Sequence, residues 1–351
     1  MISPEQTFEQ IKEYYGKTLK SSKDLKNSVC CPAEKDAYPY REILNLIDEE
    51  IKDRFYGCGS PIPPALSGCT VLDLGCGSGR DVYLVARLVG ERGRVIGIDM
   101  TAEQLAIAER HLLSQMTKFN YSQPNVVFQR GYIEDLKKAG IEDRSIDVVI
   151  SNCVINLSPD KKRVFAEIFR VLKPGGELFF SDIFADRRIP AYLESDPSLY
   201  GECLSGALYL EDFRRLLAQN GCLDYRVVTK SKITLSDPLV QAKAGMINFY
   251  SMTIRVFNIE GLEDRCEDFG QIAVYEGTLP EFPHQFLLDD QHVFFTGKPQ
   301  TLCGNTAAML EQSRYKKYFK LYGDRTTHFG LFPCGSGEVI QPEINTSGAC
   351  C

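Results

Sequence analysis

The stretch from Thr70 to Met100 constrains the fold more than any other part of the chain. TVLDLG is an apolar run of strand length, GCGSGRD follows it at once, and RDVYLVARLV then repeats apolar residues at helical spacing. A second strand, RVIGIDM, and a second helix, AEQLAIAERHLL, complete a strand–helix–strand–helix unit, the second helix led by a capping box from Thr101 to Gln104. Farther on, NVVFQR and SIDVVIS read as strands, PDKKRVFAEIFRVL as a helix closed by KPGG, and ELFFSDIF as another strand. Such alternation predicts an α/β fold with a mostly parallel sheet and right-handed crossovers. The helix LEDFRRLLAQNG, stopped by Asn220-Gly221, precedes DYRVVTKSKITL, a strand expected to end this domain. The domain is therefore expected to span residues 66–237.

Residues 1–65 are expected to form a helical cover on it. Ser3-Pro4-Glu5-Gln6 fits a capping box with proline at the first helical position, predicting a helix from Pro4 towards Leu19. YREILNLIDEEIKDRF carries Ile43, Leu46, Ile47 and Ile51 at helical spacing, and the glycines and prolines of GCGSPIPPALSGC then suit a loop. Beyond Pro238 the pattern weakens. QIAVYEG and QHVFFTG resemble strands and AAMLEQSRYKKYF a helix, so residues 238–351 are expected to form a smaller α+β region whose thiol-bearing tail ends in GACC.

Charge and cysteine usage narrow the function. Forty Lys plus Arg stand against 47 Asp plus Glu, for a formal charge of -7 with no basic block, which argues against nucleic acid as a partner. No apolar run approaches membrane-spanning length, and the opening MISPEQTFEQIKEYY is polar and acidic rather than signal-like, so a cytoplasmic protein with no membrane partner is expected. In a reducing compartment most of the 13 cysteines should be thiols; no C-x-x-C pair and no H-E-x-x-H pattern suggests zinc.

Glycines at 75, 77 and 79 allow a tight turn and let a ligand approach the backbone at a helix N-terminus. Their spacing is G-x-G-x-G. The dinucleotide fingerprint needs a third glycine where Arg80 stands, so a pyrophosphate is disfavoured. Asp99 closes the second strand, where it could bind ribose hydroxyls, and Asp73 adds a carboxylate suited to a cationic partner. With the late KPGG turn, this arrangement resembles the Rossmann-like class I S-adenosylmethionine-dependent methyltransferases. The resemblance implies a methionine moiety near Gly75, Gly77 and Gly79, ribose on Asp99, and adenine near Met100, Ile133 and Glu134. It also sets Asn152 and Cys153, at the end of the fourth strand, beside the transferred methyl group.

YYGKTLKSSKDL, RFYGCGSPIP, LGCGSGRD, GYIEDL, SNCVINLSPDKK, KPGGELFFSD and YGECLSGALY together resemble the arsenite S-adenosylmethionine methyltransferases. What that implies is a pair of cysteines, Cys153 and Cys203, holding trivalent arsenic, with Cys30 and Cys58 completing the thiol set; Cys31 is the alternative to Cys30. Cys58 would be the third arsenic ligand. Thiolates outcompete oxygen ligands for a soft centre, and three sulfurs leave the arsenic lone pair on the open face as the nucleophile. Methylation formally oxidises arsenic, so site cysteines would supply electrons by forming disulfides, reopened by a dithiol reductant such as thioredoxin or glutathione. Arsenite or its thiol conjugates would be the substrate. Cys69, Cys222, Cys266, Cys303 and Cys334 read as packing thiols, and Cys350 and Cys351 are left out of the site.

Two alternatives stand beside this reading. One is a methyltransferase of an organic small molecule in which Cys153 merely packs; the other is a non-catalytic, thiol-rich arsenic-binding protein. The intact glycine loop with Asp73 and Asp99 argues against the second.

Overall fold

The computed structural model describes residues 4–19, 40–194, 199 and 204–333. Five strands, β1 (Thr70–Leu74), β2 (Arg94–Asp99), β3 (Val126–Arg130), β4 (Ile146–Asn152) and β5 (Leu172–Ala185), pair in parallel. The two-residue strand β6 (Leu208–Tyr209) adds to the end of β5, while β7 (Arg226–Lys232) and β8 (Phe249–Phe257) complete the sheet in the order β3-β2-β1-β4-β5-β8-β7. Val71, Leu72, Leu74, Val148, Val149 and Ile150 are fully buried, as expected of central parallel strands covered on both faces.

The sheet does not stop at residue 237. β8 comes from beyond that boundary and lies antiparallel between β5 and β7, with Met252, Ile254, Val256 and Phe257 buried. A buried charge cluster extends the connection: Glu177 of β5 pairs with Arg255 of β8 at 2.5 Å, accepts a hydrogen bond from Tyr315 at 3.0 Å and pairs with Arg314. The segment after β7 is therefore built into the sheet and shares its core, Phe257 packing against Tyr315. It also contains an antiparallel sheet of β9 (Glu267–Tyr275), β12 (Pro299–Cys303), β13 (Phe319–Tyr322) and β14 (Gly330–Leu331), and a hairpin of β10 (Gln285–Asp289) and β11 (His292–Phe295).

Several expected helices are shorter or broken, each for a local reason. In the chain order used below, α1 is Pro4–Glu13, continued by a wider turn over Tyr14–Thr18. The single helix expected over 40–55 divides into α2 (Arg41–Leu46) and α3 (Glu49–Asp53) where the backbone turns extended at Ile47 and Asp48, whose carboxylate takes Gln115 (2.7 Å) and Lys118 (2.8 Å) and does not cap α3. The helix after β1 is α4 (Arg80–Val89); the next divides at His111 into α5 (Ala102–Arg110) and α6 (Leu112–Phe119). The capping box expected before α5 does not form. The Thr101 N–H donates to Asp99 Oδ1 at 2.7 Å, and Gln104 Nε2 donates to the Tyr15 carbonyl at 2.8 Å, tying the N-terminal segment to the sheet's edge. Among the longer helices that follow are α7 (Lys161–Val171), α8 (Leu210–Gln219), α9 (Pro238–Ala244) and α10 (Gly304–Gln312). α10 ends before the expected Phe319, where extended Ser313 turns its hydroxyl onto the Met309 carbonyl at 2.6 Å.

Candidate active site

The loop between β1 and α4 has Gly75, Gly77 and Gly79 at φ of +71°, +53° and +88°. The Gly75 and Cys76 N–H groups both donate to the Ile98 carbonyl, at 2.7 and 3.0 Å, which presses the loop onto β2. A Cβ on Gly75 would stand 2.4 Å from a Val154 methyl, so only glycine satisfies both the backbone angle and the approach. The loop walls an open cleft at the ends of β1, β2 and β4. Asp73, Asp99, Met100, Ile133, Glu134, Asn152 and Cys153 all line it.

The floor of the cleft is acidic. Asp73 is buried, and among the described residues no hydrogen-bond donor reaches its carboxylate; burial, then the charges of Asp81 and Asp99, push its pKa well up. Asp99 is also raised by burial, against the opposing hydrogen bonds that its carboxylate accepts from the Gly77 and Thr101 N–H groups at 2.9 and 2.7 Å. Arg80 only partly offsets this charge: it lies 3.5 Å from Asp81 and stacks on the Phe55 ring at 3.7 Å. An unpaired buried carboxylate next to two others favours a cationic ligand, which a sulfonium bearing an ammonium group satisfies. Glu134 is not a solvated loop acid. It is buried, raised by that burial and accepts a hydrogen bond from Ser158.

At the end of β4 the chain turns sharply. Cys153 adopts φ +56°, a left-handed conformation uncommon and strained for a residue with a side chain, and its N–H donates to the Ser181 carbonyl at 2.8 Å. Its sulfur is joined to Cys58, 95 residues earlier, with the two Cα atoms 5.8 Å apart. Asn152 clamps this junction. Its Oδ1 accepts from the Cys58 and Gly59 N–H groups at 3.0 and 3.3 Å, and its Nδ2 donates to the Gly59 carbonyl and to Asp81, both at 3.0 Å. Although Asn152 faces the cleft as expected of a cofactor contact, its amide is engaged with protein groups on both ends. A carboxylate oxygen of buried Asp182 lies within 4.8 Å of both sulfurs. Asp182 accepts hydrogen bonds from Asn156 N, Asn156 Nδ2 and Ile183 N, and burial nevertheless pushes its pKa up to about 7.

The structure thus brings Cys58 and Cys153 together beside the glycine loop, Asp73 and Asp99. Cys30, Cys31, Cys203, Cys350 and Cys351 lie outside the described residues. Sequence reasoning missed Asp81, Ser158 and Asp182. A carboxylate inside the apolar strand ELFFSDIF was the available signal for Asp182, and Asp81 stands directly after the glycine loop. Tyr15 packs edge-on against Tyr14 and Tyr56 and also lines the cleft.

The chain is similar to known proteins of one family. A methyltransferase domain matches residues 65–221, and an arsenite methyltransferase C-terminal domain matches residues 270–334. The chain is 47% identical to an arsenite methyltransferase of Aquipseudomonas alcaligenes, over 98% of this chain and 99% of that one. It is 40% identical to an arsenite methyltransferase of Homo sapiens, covering 97% and 86% of the two chains. The crystal structure of an arsenic(III) S-adenosylmethionine methyltransferase from Chlamydomonas reinhardtii superposes with a TM-score of 0.81 at 49% identity, covering 84% of this chain and 98% of the other. The fold is that of the class I S-adenosylmethionine methyltransferases, and the chain belongs to the arsenite methyltransferase family.

Proposed function

We propose that this protein transfers methyl groups from S-adenosylmethionine to trivalent arsenic held by cysteine sulfur, a detoxifying arsenite methyltransferase. The observation that carries the reading is the position of Cys153, held in a strained turn where β4 ends, in contact with Cys58 and at the wall of a carboxylate-floored cleft. S-adenosylmethionine, when bound, supplies an electrophilic methyl carbon on a sulfonium. Asp73, Asp81 and Asp99 provide the negative field for its charged methionine part, Asp99 the acceptor for its ribose, and Met100 and Ile133 with Glu134 the adenine wall.

Cys58, Cys153 and Cys203 are the arsenic ligands in this reading. Leu204, which follows Cys203, is fully buried in the same apolar cluster as Cys58, Cys153 and Leu157, which supports the third thiol joining from that segment. The cluster keeps water from the sulfurs. Three thiolates would leave the arsenic lone pair free on the open face, and the ligand cysteines, by holding arsenic where the bound cofactor would present its methyl group, would supply several kcal/mol of the barrier. No general base is needed, because arsenic loses no proton. Transfer raises arsenic to the pentavalent state; two cysteine thiolates then join as a disulfide, and their electron pair returns arsenic to the trivalent state. The bond between Cys58 and Cys153 is of this kind, and Cys30 would exchange with it. A cytoplasmic thiol reductant, the dithiol thioredoxin or two molecules of glutathione, would restore the thiols.

Purified protein incubated with arsenite, a thiol and S-adenosylmethionine should yield methylated arsenic species. Cofactor binding without any methylated arsenic, across several thiol donors, would contradict the reading.

A further inference from the structure

Cys266 and Cys303 lie outside the cleft, one just before β9 and the other at the end of β12. The pairing of those strands sets Cys303 opposite Asp268 and brings the Cys266 thiol into hydrogen-bonding reach of the Cys303 sulfur. Neither is in a disulfide. Cys303 is fully buried and caps α10: its sulfur accepts from the Thr306 N–H at 3.5 Å and lies 3.2 Å from the Thr306 hydroxyl. Arg226 Nη2 stands 3.9 Å away, held by Asp224 at 2.7 Å and Asp289 at 3.2 Å.

A buried thiol in apolar surroundings is raised and inert, as burial makes Cys222, pushed up to about 12. Cys303 goes the other way. The Cys266 hydrogen bond, then Arg226 and Thr306, outweigh burial and bring it down to about 4. The packing role expected of both cysteines leaves this arrangement unexplained: a buried thiolate stabilised by a cation and a helix start, behind a partly exposed thiol that donates to it.

We propose that Cys266 and Cys303 form a second thiol–disulfide centre, separate from the arsenic cleft, that is oxidised by low-molecular-weight disulfides. Cys266, the less buried member, gives up its proton to solvent and attacks one sulfur of RSSR. A bond forms between Cys266 and that sulfur, the RS–SR bond breaks, and RS⁻ leaves, free to take up a proton from solvent. The Cys303 thiolate then attacks Cys266, breaking its bond to SR and expelling a second RS⁻. One thiol, one thiolate and RSSR become one protein disulfide, RSH and RS⁻; two sulfurs of the protein are oxidised and two of the small molecule reduced. The centre does not depend on arsenic chemistry.

The test uses the full chain, fully reduced and then exposed to oxidised glutathione, with remaining thiols blocked before proteolysis and mass spectrometry. A peptide linked through 266 and 303 is expected. In Cys303→Ser, where serine keeps a capping oxygen, the glutathione adduct on Cys266 should accumulate at least about tenfold over the wild-type level, because nothing resolves it. In Cys266→Ser, Cys303 should stay unmodified behind its cover. Cys266 remaining reduced, linking to a different cysteine, or holding equal adduct in wild type and Cys303→Ser would overturn the proposal. If Cys303→Ser fails to melt cooperatively, the wild-type link and the Cys266→Ser result decide alone.

Discussion

The side-chain oxygen of Asn152 accepts a hydrogen bond from the backbone N–H of Cys58 at 3.0 Å, across 94 residues of chain. This bond, with its companions to Gly59, fixes where the 57–59 loop crosses the end of β4 and so where one thiol meets the other.

Asn152→Ala should therefore uncouple arsenic handling from cofactor binding. It leaves two N–H groups, the Gly59 carbonyl and a carboxylate oxygen of Asp81 without their partner, at about 1–3 kcal/mol for each group that stays buried. Methyl transfer to arsenic is expected to fall at least about tenfold, while the cofactor Kd moves less than about threefold. Isothermal titration beside arsenic speciation checks this; equal losses in both would assign the amide to the cofactor.

Gly75→Ala and Gly77→Ala separate two effects at the loop. Both place a side chain at positive φ, costing about 1–3 kcal/mol of strain, but only the Cβ at 75 meets a neighbour, 2.4 Å from Val154, whereas at 77 nothing lies within 4 Å. Thermal unfolding should show Gly75→Ala as the more destabilised variant. Equal shifts would mean that the loop yields at Val154.

Cofactor binding should release protons. Burial and two neighbouring carboxylates raise Asp73, so part of it is protonated below its raised pKa, and a bound cation favours the ionised form. Affinity for S-adenosylmethionine is expected to fall as pH drops through that range and to level off above it. Titrations in buffers of different ionisation enthalpy measure the protons directly. S-adenosylhomocysteine, without the sulfonium charge, should release fewer, and Asp73→Asn should remove the effect.

Asp182 makes a distinct stability prediction. Its folded pKa, about 7, lies above the ordinary carboxylate value, so between the two the folded chain binds the extra proton. Its contribution is fully present below the unfolded pKa and is lost as pH rises to about 7, by up to about 4 kcal/mol for a shift of this size. Asp182→Asn should flatten the dependence of stability on pH between 4 and 8 in denaturant titrations, whatever its absolute cost. An unchanged slope would mean that Asp182 is ionised in the fold.

Much of this was legible in the sequence, and the parts that were not share a cause. β1, β2, β4 and the glycine loop follow from apolar runs broken by punctuation residues, which are local signals. Asp99 and Cys153 inherit their places from strand ends. β8 was missed because its place between β5 and β7 depends on burial against distant partners: FYSMTIRVF follows a weakly patterned stretch and carries Arg255, whose charge is matched by distant Glu177. The same holds at the site. No spacing rule links Cys58 to Cys153 over 95 residues, and Gln104 leaves its expected cap for the Tyr15 carbonyl because a tertiary acceptor lies within reach.

The sulfur ligation of arsenic is tested most directly by mixing wild-type, Cys153→Ser and Cys203→Ser proteins with arsenite, thiol and methyl-labelled S-adenosylmethionine and separating the arsenic products. Labelled methylarsenic from the wild type alone, with all three proteins binding the cofactor with similar affinity, is the expected result. Labelled product from either serine variant at the wild-type rate would contradict it.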